Sequence, residues 1–277
     1  MKIKSLLTIA VALVFTSCTN DRIYETSHPD EGKITFTTDF SQRMTGIDIP
    51  ATITAKVGQY SATLSTDKVV EFPNLIEPET YHINIYNTAD RITVNGTTAT
   101  ADYGTSTSLP GWFFTWAKDV AIEEDKEYDI VATMQQQVRQ LTLVIEPTGG
   151  TIDKITAIDA ILTGVASQLN IDDNTHSVPV SVKPVFAKET DGKYAATVYL
   201  LGIVGTDQKL TTTMAFAGSD PVSITETHDL ATLLANFNAD KKKPLILGGT
   251  IVETPTEVGF TSTINGWSPV VGTGIAD

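Results

Sequence analysis

Glu79-Thr80-Tyr81-His82-Ile83-Asn84-Ile85-Tyr86 sets Tyr81, Ile83 and Ile85 on one side of the chain and His82, Asn84 and Tyr86 on the other. A period of two marks a strand that buries one face and wets the other. The same period recurs upstream, where Ala51, Ile53, Ala55 and Val57 alternate with Thr52, Thr54 and Lys56, and where Ile34, Phe36 and Phe40 share a face. Downstream it returns in Tyr128 to Met134, in Leu141-Leu143-Ile145, in Tyr194 to Leu200, in Leu210 to Phe216, and in Val258-Phe260-Ile264. Asn95-Gly96 and Asp191-Gly192 lie between such runs as hairpin turns, because these residue pairs tolerate positive φ. Short, regularly spaced strands with turn signals predict β-sandwiches rather than a parallel α/β sheet, and the abundance of threonine agrees.

Gly192-Lys193-Tyr194-Ala195-Ala196-Thr197-Val198-Tyr199 echoes the opening octapeptide in its spacing of tyrosines and apolar residues. Leu75…Pro78…Tyr81 matches the tyrosine corner of Greek-key sandwiches, in which the ring packs and the hydroxyl bonds back to backbone. Two sandwiches are therefore expected, over 33–134 and 135–277, with the boundary just before Gln135-Gln136-Gln137. One helix is predicted, in the second: Leu230, Leu233, Leu234 and Phe237 fall at i, i+3, i+4 and i+7, with Thr227 or Asp229 as cap. Lys241-Lys242-Lys243 follows and reads as a solvated turn, and Pro244 stops any continuation of the helix.

The chain of 277 residues carries 19 Lys and Arg against 33 Asp and Glu, a formal charge of −14. Such an acidic chain cannot neutralise phosphates, which excludes nucleic acid as a partner. At 41% hydrophobic it has the composition of a globular protein. Lys2 and Lys4 precede an apolar run, Leu6 to Phe15, that is too short to span a bilayer and suits a secretory leader. The run ends in Phe15-Thr16-Ser17-Cys18, which resembles a bacterial lipobox with Phe15 in place of the usual leucine. The resemblance implies cleavage before Cys18, the only cysteine of the chain, and acylation of that residue. More than one acyl chain gives stable anchoring. The alternative is a buried thiol beside an ordinary signal peptide. Residues 1–17 then form the signal peptide and 18–32 a polar tether.

The search for chemistry finds little. His28, His82, His176 and His228 form no metal-binding pattern, and no phosphate-cradling loop or nucleophile elbow is present. Glu123-Glu124-Asp125 and Asp172-Asp173 read as solvated loops, whereas a glycosidase needs two carboxylates facing each other across a cleft. No metal, cofactor, catalytic residue or small-molecule substrate is expected. Gly111-Trp112-Phe113-Phe114-Thr115-Trp116 supports two readings, a hydrophobic plug between sheets or domains and a sugar-stacking platform. Trp267 reads as core.

Four stretches carry a family resemblance: the lipobox at Cys18; Leu75 to Gly96 with its Glu79-Thr80-Tyr81 and Asn95-Gly96; Pro110 to Phe114 leading into Met134-Gln135-Gln136-Gln137-Val138-Arg139-Gln140-Leu141; and Leu162-Thr163-Gly164-Val165-Ala166. Together they resemble the FimB-type fimbrial anchor and minor-subunit lipoproteins, a branch of the fimbrillin-like proteins of Bacteroidales type V pili. The resemblance implies two tandem transthyretin-like sandwiches, no enzymatic activity, and a lipid-anchored place in the cell outer membrane as part of a fimbrium. It implies fimbrial stalk subunits as partners, joined by β-strand addition. The segment around Val258, Phe260 and Ile264 is a candidate donor strand, and a fixed edge strand is the other reading of it. Arg43 stands where a stalk subunit would be cleaved by an arginine-specific protease. A surface glycan-binding lipoprotein of a nutrient-uptake system is the alternative function.

Overall fold

The structure, a computed structural model, describes residues 30–104, 109–148, 154–217, 223–256 and 259–270, without the side chains of 253–262. The first strands are β1 (Lys33–Asp39), β2 (Thr52–Val57), β3 (Tyr60–Ser65), β4 (Val70–Glu71) and β5 (Thr80–Tyr86). A hairpin of β6 (Ile92–Asn95) and β7 (Thr98–Ala101) follows, then β8 (Phe114–Ala121), β9 (Glu127–Thr133) and β10 (Gln135–Gln136). One sheet has the order β4-β1-β9 and the other β10-β8-β5-β2-β3. Their facing sides interleave Ile34, Phe36, Ile53, Val57, Ile83 and Phe114, all nearly or fully buried. These are the alternating apolar positions of the sequence, and each large side chain removed from water contributes about 2 kcal/mol. Phe40 packs edge-on against Phe114, with ring centroids 5.3 Å apart.

The second sandwich contains β11 (Arg139–Pro147), β12 (Ile155–Asn170), β13 (His176–Val182), β14 (Ala187–Lys188) and β15 (Tyr194–Leu200). It continues with β16 (Lys209–Phe216), β17 (Ser223–Asp229), the single-turn α1 (Ala231–Leu234), β18 (Leu245–Thr256) and β19 (Gly259–Pro269). One sheet runs β14-β15-β11-β18-β19. The other runs β17-β16-β12-β7-β6, with β13 also paired to β12. The hairpin β6–β7 therefore leaves the strands that flank it in the chain and completes a sheet of the second sandwich, with Gln168, Leu169 and Asn170 opposite Thr100, Ala99 and Thr98. A separate apolar cluster, including Ile92, Ala99, Phe113, Val138, Leu169 and Leu201, fills the junction.

The two sandwiches share a pattern of pairing. β1 runs parallel to β9 and antiparallel to β4; β11 runs parallel to β18 and antiparallel to β15. The echo between Tyr81–Tyr86 and Tyr194–Tyr199 does not mark equivalent strands, because β5 lies between β2 and β8 while β15 lies between β11 and β14. Alternation with tyrosines belongs to any half-buried strand and carries no address. The Tyr81 ring packs over Gly58, where a Cβ would lie 2.8 Å from it. The hydroxyl-to-backbone bonds expected there are made elsewhere, by Tyr194 to Ile155 O (3.1 Å) and Tyr103 to Ala166 O (2.9 Å).

Two other expectations are corrected. The predicted helix shrinks to the four residues of α1, although Leu230, Leu234 and Phe237 are buried as the spacing requires. Asp229 Oδ1 accepts the Ala231 N–H, but past Leu234 the chain tightens into a turn in which the Phe237 N–H bonds to Leu234 O, and Arg139 takes the carbonyls of Asn236 and Phe237. The solvated lysine turn holds only for Lys242 and Lys243, since Lys241 is buried. Gly164 (φ +71°) sits where the β12–β13 register shifts between Leu162 and Val165, a bulge that the left-handed conformation makes possible.

Candidate functional site

Two features of the molecule can engage another one: the terminal strands of its sheets, and a cleft at the junction of the sandwiches. Of the residues singled out in the sequence, Cys18 and Val258 lie outside the described residues. Phe260 is in β19, where its side chain is not described, and Ile264 of the same strand is buried against Ile145, Met214 and Ile251. β19 is the last strand of its sheet and pairs with β18 from Gly259↔Thr256 to Pro269↔Leu247. It is an edge strand of this sheet. Glu226 of β17, the last strand of the opposite sheet, reaches across, and its Oε2 accepts the Ile264 N–H at 2.7 Å. His228 Nε2 lies 3.2 Å from the same oxygen. An inward charge on an edge strand blunts pairing with other chains.

At the other end of the sequence β1 occupies the slot between β4 and β9, its Lys33 paired to Glu71 at 3.0 Å. Arg43 follows in a turn, where Nε donates to Ile47 O (3.0 Å) and Nη1 to Phe40 O (3.2 Å). The side chain is folded back onto its own loop.

The junction cleft has a volume of about 1120 Å³. The chain crosses there from β10 to β11, and Gln136, Gln137 and Arg139 are all buried at the crossing. Gln136 Oε1 accepts the Met44 N–H, while its Nε2 donates to Val138 O and Lys241 O. Gln137 Nε2 donates to Thr115 Oγ1 and Asn174 Oδ1. Its Oε1 accepts from Lys241 Nζ at 2.9 Å. Lys241 Nζ also donates to Leu201 O (3.2 Å) and lies 3.1 Å from His176 Nε2. Burial, with the Arg139 charge adding to it, pulls the Lys241 ammonium down to about 7. Burial and the neighbouring Lys241 bring His176 down to about 4. Arg139 donates to the carbonyls of Lys243, Asn236 and Phe237 and stacks 5.0 Å over the Phe237 ring. Gly202 is required beside this network, because a Cβ there would lie 2.2 Å from the His176 ring.

A second bridge crosses the junction on its outer side. His82 of β5 sits between Asp119 of β8 and Asp172 of the β12–β13 loop, 3.0 Å from the latter. The hydrogen bond to Asp119 raises its pKa, with burial opposing and Asp172 assisting. Sequence reading placed His82 outward, as it is, and missed the bridge. It missed the cleft as well, although the buried run Gln136-Gln137-x-Arg139 between two strands was the available signal. Phe113 and Phe114 are fully buried, and Trp112 stacks 4.5 Å from Tyr199 of β15, so the aromatic cluster is the plug between the two sandwiches. Trp267 packs against the second core. Among the described residues no group of three or more His, Cys, Asp or Glu is arranged to hold a metal ion.

These features define an all-β, two-sandwich protein with terminal sheet strands and a polar cleft at the junction. The same fold occurs in the fimbrial anchor protein Mfa2 of Porphyromonas gingivalis, with a TM-score of 0.59, 12% identity, and coverage of 86% of this chain and 98% of that one. It occurs also in a candidate adhesin of Bacteroides ovatus (TM-score 0.56, 11% identity, 92% and 97% covered). A solved chain of Bacteroides thetaiotaomicron described as a candidate polysaccharide-binding protein shares it too (TM-score 0.52, 10% identity, 86% and 97% covered). Among curated proteins none matches this sequence. The family model of the fimbrillin-A associated anchor proteins Mfa1 and Mfa2 matches residues 99–271, and the chain belongs to that family.

Proposed function

We propose that this chain is a lipoprotein of the outer membrane, acylated at Cys18, that serves as anchor or minor subunit of a type V fimbria. It is a structural protein and not an enzyme. It holds the neighbouring stalk subunit by β-strand addition, with the segment around Val258, Phe260 and Ile264 as the strand that engages the partner. Membership of a fimbrial anchor family carries this reading. The position of β19 at the end of its sheet supports it, because the backbone groups of an edge strand, apart from the Ile264 N–H that Glu226 occupies, are open to a second chain. Arg43, folded onto the carbonyls of Phe40 and Ile47, fits a subunit that keeps β1 and with it the tether to the membrane.

Electron microscopy of cells lacking the gene tests the role. A base anchor predicts pili shed into the medium or altered in length. Pili that remain attached and unchanged refute it. Palmitate labelling of the wild type and of Cys18→Ala tests the attachment: label is expected in the first and lost in the second. The engaging region runs from Val258 to Ile275, and deleting Ser268 to Asp277 is expected to reduce co-purification with stalk subunits; undiminished recovery rules out donation from the deleted tail.

A further inference from the structure

The junction cleft is lined by two lysines and a single carboxylate, in a chain whose formal charge is −14. Lys241 lies in its wall, Lys242 at its rim with Nζ on Gln42 Oε1 (2.8 Å), and Arg139 behind. His176 is the other titratable group against Lys241. The one carboxylate lining the cleft, Asp240, is engaged by Lys243 at 3.2 Å. Lys241 is therefore a buried amine whose hydrogen-bond partners are neutral oxygens and an imidazole, with no carboxylate in ion-pair distance among the described residues. An amine so placed resists protonation in the free protein and gains from any carboxylate brought to it, since buried charges are stabilised by pairing.

We propose that this cleft is a docking site for an acidic polypeptide segment, whose carboxylate reaches the Lys241 amine. The walls favour a polypeptide over an acidic sugar. None of the lining residues is Phe, Tyr or Trp, so a pyranose ring would find no aromatic face to stack on. One wall contains β10, the last strand of its sheet, with the exposed Gln135 amide beside it, and extended backbone pairs with such an edge. The site lies in a different part of the fold from β19, and the inference stands independently of strand addition there.

The test is an NMR titration of the full chain labelled at lysine Cε, from pH 5.5 to 9, following Lys241 alone and then with three probes in turn. These are a capped glutamate-rich pentapeptide, its glutamine counterpart, and glucuronate. The glutamate peptide is expected to raise the Lys241 midpoint by about one pH unit and, by linkage, to bind about fivefold more tightly at pH 6 than at pH 8. The glutamine peptide is expected to do neither. Lys241→Met is expected to weaken the glutamate peptide at least tenfold; the wild-type titration decides the matter alone if that variant does not fold. A midpoint that the glutamate peptide leaves unmoved at millimolar concentration overturns the proposal, as does a larger shift with glucuronate.

Discussion

A lysine ammonium taken out of water loses hydration that three neutral hydrogen-bond partners do not replace, and Lys241 is in that position. Its pKa of about 7 in the folded chain lies below the ordinary value of 10.5. Between these two pH values the unfolded chain binds the proton and the folded chain does not, so stability rises as pH rises through that window. His176, at about 4 when folded against 6.5 when free, adds a rise between those two values. His82 acts in the opposite sense: its pKa is raised, so its stabilising bridge is intact in acid and fades as pH climbs through its folded value. Calorimetry of the wild type from pH 7 to pH 9.5 is expected to show stability increasing by roughly 1 kcal/mol per pH unit. Lys241→Met is expected to flatten that slope. An unchanged slope in the variant means that Lys241 is solvated.

At the scale of elements, the terminal strands carry the consequences. β19 is the edge that a partner strand would extend, and the Glu226 carboxylate already occupies its Ile264 N–H. A backbone donor satisfied by a charged acceptor is held more firmly than one bonded to water, by about 1.5–3 kcal/mol. Glu226→Ala is expected to speed hydrogen exchange at the Ile264 amide at least tenfold and to increase self-association in sedimentation, while the β18 ladder stays protected. Exchange at Ile264 equal to wild type shows that the carboxylate does not guard this edge. In β1 the same logic runs the other way. Its alternating Ile34 and Phe36 seal the slot between β4 and β9, so this first strand is held by core packing as well as by hydrogen bonds.

For the whole molecule, the hairpin β6–β7 decides how the halves behave. It belongs by sequence to the first half and by hydrogen bonding to a sheet of the second, and Phe113, Val138 and Leu201 pack in the junction beside it. The Gln137–Lys241 bond and the His82–Asp172 bridge tie the same joint. The full chain is therefore expected to unfold in one calorimetric transition. A fragment of 135–277 lacks the strand beside β12 and exposes Leu169, so it is expected to aggregate unless a chain carrying 92–101 is supplied. Two separate transitions, or a soluble and fully folded 135–277 fragment, contradict a single cooperative unit.

The sequence by itself determined the all-β class and the faces of most strands, since burial of Ile53, Val57, Ile83, Leu141 and Met214 follows from local alternation and the pleat turns successive side chains to opposite sides. It also placed the turn at Gly192, whose φ of +87° is open to glycine at no steric cost. Only the tertiary structure decided which strands meet, because alternation names a strand's buried face and not its neighbour. That is why β6–β7 could not be assigned to the second sandwich, nor the helix shortened, from spacing alone. Lys241 is the clearest case: its neighbours Lys242 and Lys243 are exposed, and its amine is met by a glutamine about a hundred residues earlier in the chain and by the histidine that begins β13. Such contacts are fixed by the packing of whole sheets, which no window of sequence contains.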